Sequence, residues 1–435
     1  MPVIHWFRRD LRLDDNHALF QALTSGEEVI PLFIFDREIL DELPEADARV
    51  EFLHQTLHRM QKELQALGSS LVVKYGRPME IWKELADSIE FSAVYTNRDY
   101  EPYARERDPM VAELLASHGK AFHTFQDHVI FEKDSILTGG GKPYTVFTHF
   151  GKKWRANLTK EHLAEYKTEP HFGQFFSSEP REIPSLESMG FVPTDTEFPP
   201  RIPDKEIIKV YDQKRNFPAE KGTTHAGIHL RFGTLSLRKL ARVAKALNDT
   251  YLNELIWRDF YQQILWNFPH VAEGPFRPEY AHIPWRNDEK EFDKWCKGKT
   301  GFPLVDAGMR ELNATGYMHN RVRMLVASFL SKHLLINWQW GEAYFAEKLL
   351  DFELASNNGG WQWAAGCGTD AAPYFRIFNP ESQLKKFDPK GKYVRKWVPE
   401  YGTPVYPKPI VDHKSARERC LDVYKTALEA AKAGV

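Results

Sequence analysis

Asn357-Asn358-Gly359-Gly360-Trp361-Gln362-Trp363-Ala364-Ala365-Gly366 sets large aromatic side chains beside residues that have almost none. Gly359 and Gly360 let another surface approach the backbone closely. On a helix of about 3.6 residues per turn, Trp361 and Trp363 point in nearly opposite directions, so one indole can face a core and the other a cavity. That arrangement suits a broad, flat ligand. By composition alone, a Gly-rich turn followed by a well-packed core helix is the commoner meaning of such a stretch.

Around this segment, helical periodicity runs from residue 204 to the end of the sequence without an alternating strand, and nine of the 12 tryptophans lie after Thr250. An all-helical, aromatic-rich domain over 204–435 is expected. The first part reads differently. Apolar runs at 3–7, 29–35, 71–75, 93–96 and 121–125 alternate with helical stretches such as 50–67 and 106–118, the pattern of an α/β domain with a doubly wound parallel sheet over 1–128. Arg8, Asp10, Asp36, Arg37, Asn97 and Arg98 follow the strand ends and should line the carboxyl edge, where such sheets bind ligands. Between the two, 129–203 loses periodicity and gathers Pro, Gly and Ser, so it reads as a long interdomain linker.

The 435 residues are 42% hydrophobic and 27% charged, an ordinary globular composition with a sizeable core. No uncharged run is long enough for a membrane span, and Arg8, Arg9 and Asp10 interrupt the opening apolar stretch, so no signal peptide is indicated. Cys296, Cys367 and Cys420 are too few and scattered for a disulfide framework, which favours the cytoplasm. A net charge of -2 gives no global attraction to nucleic acid, so DNA binding would need a local patch. Lys385-Lys386-Phe387-Asp388-Pro389-Lys390-Gly391-Lys392-Tyr393-Val394-Arg395-Lys396 is such a run, with six basic residues against one acid. Gly139-Gly140-Gly141-Lys142-Pro143 lacks the hydroxyl residue and the leading strand of a phosphate-binding loop. The His54/His58 and His225/His229 pairs have no evident third ligand, so no metal is expected.

Five separated motifs resemble, in order, those of the photolyase and cryptochrome family of flavoproteins. They are His5-Trp6-Phe7-Arg8-Arg9-Asp10-Leu11-Arg12, Asn253-Glu254-Leu255-Ile256-Trp257-Arg258-Asp259-Phe260-Tyr261, Gly301-Phe302-Pro303-Leu304-Val305-Asp306-Ala307-Gly308-Met309-Arg310, Met318-His319-Asn320-Arg321-Val322-Arg323-Met324, and the opening segment with its continuation Thr369-Asp370-Ala371-Ala372-Pro373-Tyr374-Phe375-Arg376-Ile377-Phe378-Asn379-Pro380. The likeness is strongest to class I photolyases that act on cyclobutane pyrimidine dimers.

The resemblance implies FAD in the helical domain, contacted by Tyr211, Thr223, Thr224, His225, Ala226, Gly227, Arg323, Asp351, Phe352, Glu353 and Asn357. Hydroxyls and backbone N–H groups near a helix start suit a pyrophosphate, and Asp351 could pair with Arg323 beside the isoalloxazine ring. His225-Ala226 and Phe352-Glu353 depart from the family's usual Arg-Leu and Gly-Asp, which places the phosphate contacts of 225 and 226 in question. Asn357 matches the residue facing flavin N5, where a neutral amide disfavours proton donation, so the ring should work as the reduced anion. Trp361, Trp338 and Trp285 occupy the positions of an electron-transfer chain from flavin to solvent.

Glu254, Trp257, Asn320, Met324 and Trp363 match the residues lining the dimer pocket, while Arg258, Arg321 and Arg215 lie near substrate or phosphate. Indoles can clasp the apolar face of a flipped pyrimidine pair, and Glu254 and Asn320 can hydrogen-bond its polar edges; photolyases are known base-flipping enzymes. Asn320 and Met324 stand where (6-4) photolyases carry histidines, and Trp363 where DASH-type cryptochromes carry tyrosine, so cyclobutane dimers are the expected lesion. Glu254, Asn320 and Asn357 are the expected catalytic residues.

The implied activity is light-driven repair of damaged DNA by an electron from photoexcited reduced FAD, carried out by a monomer. The alternative is a cryptochrome-type blue-light receptor that binds FAD without efficient repair. A nicotinamide-dependent flavin oxidoreductase is a weaker third, since no G-x-G-x-x-G follows a strand. A second antenna chromophore is expected in the first domain. By the same resemblance, Asn97-Arg98-Asp99-Tyr100-Glu101-Pro102-Tyr103 favours a deazaflavin over methenyltetrahydrofolate, because Tyr103 and Ala104 replace the Asn-Glu pair that holds the folate, and a flavin antenna or an empty crevice stays open.

Overall fold

A computed structural model describes residues 1–433. The chain forms two compact units, the first comprising Met1–Glu132, Asn157–Ile202 and Ala226–Ala246, the second Lys133–Ala156, Pro203–His225 and the chain from Leu247 onward. The segment 129–203 therefore contributes to both.

In the first unit, five short apolar strands pair in parallel: β1 (Val3–Phe7), β2 (Val29–Asp36), β3 (Val72–Gly76), β4 (Ala93–Asn97) and β5 (Ala121–Phe125), in the order β3-β2-β1-β4-β5. The register sets Val3 against Val29, Ile4 against Val94 and Leu32 against Val72. This is the expected doubly wound sheet. One face buries Ile4, Trp6, Leu32, Ile34 and Val72 against Ile81, Trp82, Leu85, Val111 and Leu115 of the crossover helices. Asp47 caps the helix Ala48–Ala66 through the Arg49 N–H, and proline opens the helices Pro78–Ser88 and Pro102–Ser117, where a missing N–H costs nothing.

The order reverses between β1 and β4, and the crevice at that switch point is lined by Arg8, Arg9, Asp10, Asn97, Arg98, Asp99, Asp127 and His128. Its charges are paired. Arg8 meets Asp108 at 2.7 Å, Arg9 meets Asp99 at 2.9 Å, and Arg98 reaches Glu132 at 2.5 Å. The helix Leu237–Leu247 joins this unit through Arg238, which bonds both Asp15 at 2.8 Å and Asp127 at 2.7 Å.

The second unit is helical. Its core gathers Trp295, Trp338, Phe345 and Trp361 with aliphatic side chains from Pro303–Thr315, Asn320–Ser328 and Leu354–Ala365. Two close approaches decide which helices meet. A Cβ on Gly341 would fall 2.1 Å from the Trp361 ring, and one on Gly359 would fall 2.2 Å from Tyr261, so these glycines admit an aromatic ring against helix backbone. The helix His413–Ala433 closes the core with Cys420 and Tyr424, both fully buried. Among the described residues no helix is long and apolar enough to cross a membrane, and no group of three or more His, Cys, Asp or Glu is placed to hold a metal ion.

Candidate active site

The helix Asp249–Asn267 starts at Asn248, whose side chain accepts the Tyr251 N–H. Positions 254, 257, 258 and 261 recur at one-turn spacing, which puts Glu254, Trp257, Arg258 and Tyr261 along one flank. Glu254 is half-buried and forms a close ion pair with Arg215. Burial raises its proton affinity and the Arg215 charge opposes that rise, leaving the carboxyl above its ordinary range. The Arg215 guanidinium also lies 5.4 Å from the Tyr211 ring centre, and Tyr211 meets Tyr251 edge-on at 5.0 Å.

Tyr251 shares a 2.7 Å hydrogen bond with Thr224, and Thr223 shares one of 3.1 Å with Tyr317. The Tyr317 ring stacks on His225 at 3.9 Å and lies 5.6 Å from the Arg323 guanidinium, which grips Asp351 with two nitrogens at 3.1 and 2.9 Å. Tyr211, Thr223, Thr224, His225, Arg323 and Asp351 are thus one connected network with Glu254 at its edge. Ala226 and Gly227 lie just beyond, where the chain re-enters the first unit and begins the short helix Gly227–Arg231. Tyr251 and Tyr317 were not singled out from sequence; their place emerges only from contacts across distant segments.

Asn320, the first residue of its helix, is exposed, while Arg321 and Met324 are half-buried. His319 caps that helix by accepting the Arg321 N–H, and burial together with the Arg323 and Arg321 charges pushes its pKa down to about 4. Its Nε2 is buried with no partner. Arg321 reaches Asn216 at 2.6 Å and lies 4.5 Å from the Phe387 ring centre, beside the exposed basic run 385–396.

Arg258 and Glu353 close on each other in a buried ion pair of 2.6 Å, and Ser356 also donates to Glu353. Phe352 is half-buried against the aromatic core. The Asn357 amide donates to the Glu342 carbonyl at 3.1 Å, whereas Asn358 donates to the Glu342 carboxyl at 2.9 Å. Burial raises that carboxyl to about 7, only partly offset by Asn358.

The two indoles of the opening segment part as helical geometry requires. Trp361 is 2% exposed, edge-on to Phe345 at 5.0 Å and to Trp295 at 6.1 Å, and Trp363 is half-buried near Phe378 at 6.4 Å. Trp338 is buried, and Trp285 is half-buried against Tyr424 at 6.0 Å. Trp257 stacks face to face on Phe147, which lies in the segment whose sequence reads as a linker and carries no motif.

These residues fit a flavin nucleotide. The network offers hydroxyls, an arginine held by a carboxylate and aromatic walls, and a Cβ on Gly360 would meet nothing within 4 Å, so the helix leaves open space there.

Comparison with known proteins points the same way. A family model described as DNA photolyase matches residues 3–170, and one described as the FAD binding domain of DNA photolyase matches 251–404. The deoxyribodipyrimidine photo-lyase of Synechococcus sp. is 38% identical over 97% of this chain and 96% of that protein. A bacterial class III photolyase from Agrobacterium tumefaciens superposes with a TM-score of 0.88 at 34% identity, covering 98% of both chains. An archaeal photolyase from Sulfolobus tokodaii that holds two FAD molecules does so with a TM-score of 0.85 at 33% identity, over 98% of this chain and all of that one (100%). The chain belongs to the DNA photolyase family.

Proposed function

We propose that this protein splits cyclobutane pyrimidine dimers in DNA, using light. The observation that carries the reading is the single helix flank on which a carboxyl group, Glu254, and an indole, Trp257, stand together beside Arg215 and the Tyr211 network. A flipped dimer has an apolar face for an indole and carbonyl edges for a hydrogen-bond donor. Glu254 is suited to the second task because burial favours its protonated form: released from Arg215, it donates to a base carbonyl and stabilises the negative charge that develops there. Asn320 supplies a further amide at an exposed helix start, and Met324 and Trp363 add apolar wall. Arg215, Arg321 and the basic run 385–396 would meet phosphates, which positions the duplex without reading its sequence.

Tyr211, Thr223, Thr224, His225, Arg323, Asp351 and Asn357 would hold the FAD; Ala226, Gly227, Phe352 and Glu353 adjoin them in sequence. Arg258 and Glu353, locked together, keep the Leu354–Ala365 helix against the substrate-facing helix. The bound flavin supplies light absorption and the electron that opens the cyclobutane ring and then returns. Asn357 presents a neutral amide whose nitrogen is already committed to Glu342, so it offers no acidic proton to a reduced ring. Trp361, Trp338 and Trp285, of increasing exposure, would carry electrons inward to restore the reduced state. The charged switch-point crevice of the first unit would take the antenna, a deazaflavin in our reading. The neighbour with two FAD molecules makes a second flavin one outcome to test against by releasing the pigment, and the folate weighed from the sequence is the other.

The test is lesion choice. The FAD-loaded, reduced protein is illuminated with oligonucleotides carrying a cyclobutane dimer or a (6-4) product, and the bases are counted. Restored pyrimidines from the cyclobutane substrate alone are expected. Repair of the (6-4) product, or of neither, would reject the assignment, the latter in favour of the signalling reading.

A further inference from the structure

Trp257 is held by a partner that no sequence motif announces. The Phe147 ring lies 3.6 Å from the Trp257 ring, only 4° from parallel, and Phe147 is itself 9% exposed. Phe147 opens the helix Phe147–Asn157, which is fastened along the substrate-facing helix: Trp154 Nε1 donates to Asp259 at 2.9 Å, and Arg155 pairs with Asp249 at 2.7 Å. At the same end, the Phe147 N–H donates to Asp370 Oδ2 at 3.0 Å, and the Thr369 hydroxyl donates to the Thr145 carbonyl. Asp370 adopts a left-handed φ of 38°, a conformation that Asp and Asn enter more readily than other non-glycine residues. Thr369 and Asp370 come after the helix that carries Trp363, separated from it by Gly366, Cys367 and Gly368.

We propose that Phe147 is a positioning residue for lesion recognition: stacked on one face of Trp257 and clasped by Asp370, it fixes that indole so that its other face is free for a base, and ties it to the segment carrying Trp363. The inference rests on the dimer-binding reading above. An indole free to rotate would have to be ordered when the base arrives, and that cost would fall on lesion binding. A fixed indole is ordered beforehand. Phosphate contacts do not involve it, so affinity for undamaged DNA is independent of Phe147.

Equilibrium titrations in the dark test this on the full, FAD-loaded chain, with a cyclobutane-dimer oligonucleotide and its undamaged counterpart, FAD content being measured alongside. Phe147→Ala is expected to weaken lesion binding roughly 3- to 10-fold, the range of an aromatic pair, with binding to undamaged DNA and FAD content unchanged. Phe147→Tyr keeps a ring and should restore the preference. Asp370→Asn keeps an acceptor and tolerates the left-handed backbone, so it should behave as the unmutated protein; Asp370→Ala should resemble Phe147→Ala. If Phe147→Ala does not fold, the Asp370 pair decides. Unchanged lesion preference in Phe147→Ala and Asp370→Ala, or an equal loss for both DNAs, would overturn the inference while leaving the repair reading intact. No lesion preference in the unmutated protein would overturn both.

Discussion

Trp361 is nearly sealed between Phe345, Trp295 and the Gly341 backbone, so its replacement tests redox function with little change of surface. Trp361→Phe keeps a ring in the same space and is expected to abolish light-driven reduction of oxidised FAD, followed by absorbance, while repair by chemically reduced protein survives. Normal photoreduction in that variant would remove Trp361 from the relay. Glu254→Ala should lower repair yield per absorbed photon with FAD content retained. Loss of a charged hydrogen bond to the developing carbonyl charge is worth roughly 1.5 to 3 kcal/mol. Loss of FAD instead would move Glu254 to the cofactor site. The opposed directions of Trp361 and Trp363 were legible from spacing, as was the Arg323–Asp351 pair from charge and resemblance. The Tyr317–His225 stack was not, because residues 92 positions apart leave no periodic mark on each other (317 − 225).

Helix packing carries the next level of the account. Gly341→Ala would drive a methyl group into the Trp361 ring between the helices Trp338–Lys348 and Leu354–Ala365, and should cost about 1–3 kcal/mol in denaturant unfolding. An unchanged midpoint would mean that these helices separate freely. The same helix carries Glu342, whose carboxyl is raised from its ordinary value to about 7, chiefly by burial. Between about pH 4.5 and 7 the folded state therefore binds more protons than the unfolded one, and stability falls as pH rises through that window. Glu342→Gln, which still accepts from Asn358, should flatten that fall in thermal-denaturation curves; an identical pH profile would contradict the assignment. Strands and long helices were legible because their apolar residues alternate or recur by turns. The helix Phe147–Asn157 was hidden by the Pro- and Gly-rich sequence before it, although Phe147, Phe150 and Trp154 carry a helical spacing and are all buried.

Across the whole molecule the net charge of -2 conceals a local polarity: the exposed basic side chains of 385–396 extend from the Arg321–Phe387 contact. Replacing Lys385, Lys386, Lys390 and Lys392 by glutamine should weaken binding to damaged and undamaged DNA alike. It should also lower the slope of log affinity against log salt by roughly 2–4 units, with lesion preference kept. An unaltered slope would make this run an ordinary solvated face. The two-part architecture could be read from the change of periodicity along the chain. That residues 226–246 build the first unit could not, since Arg238 finds Asp15 and Asp127 only in three dimensions. The central claim is that light absorbed by the reduced, FAD-loaded protein breaks the cyclobutane ring of a bound dimer, and single-flash illumination of that complex with chromatographic counting of restored thymines tests it most directly. The account predicts restored thymines after each flash, none in the dark and none from a single flash on oxidised protein; an intact dimer after repeated flashes on fully reduced, lesion-bound protein would contradict it.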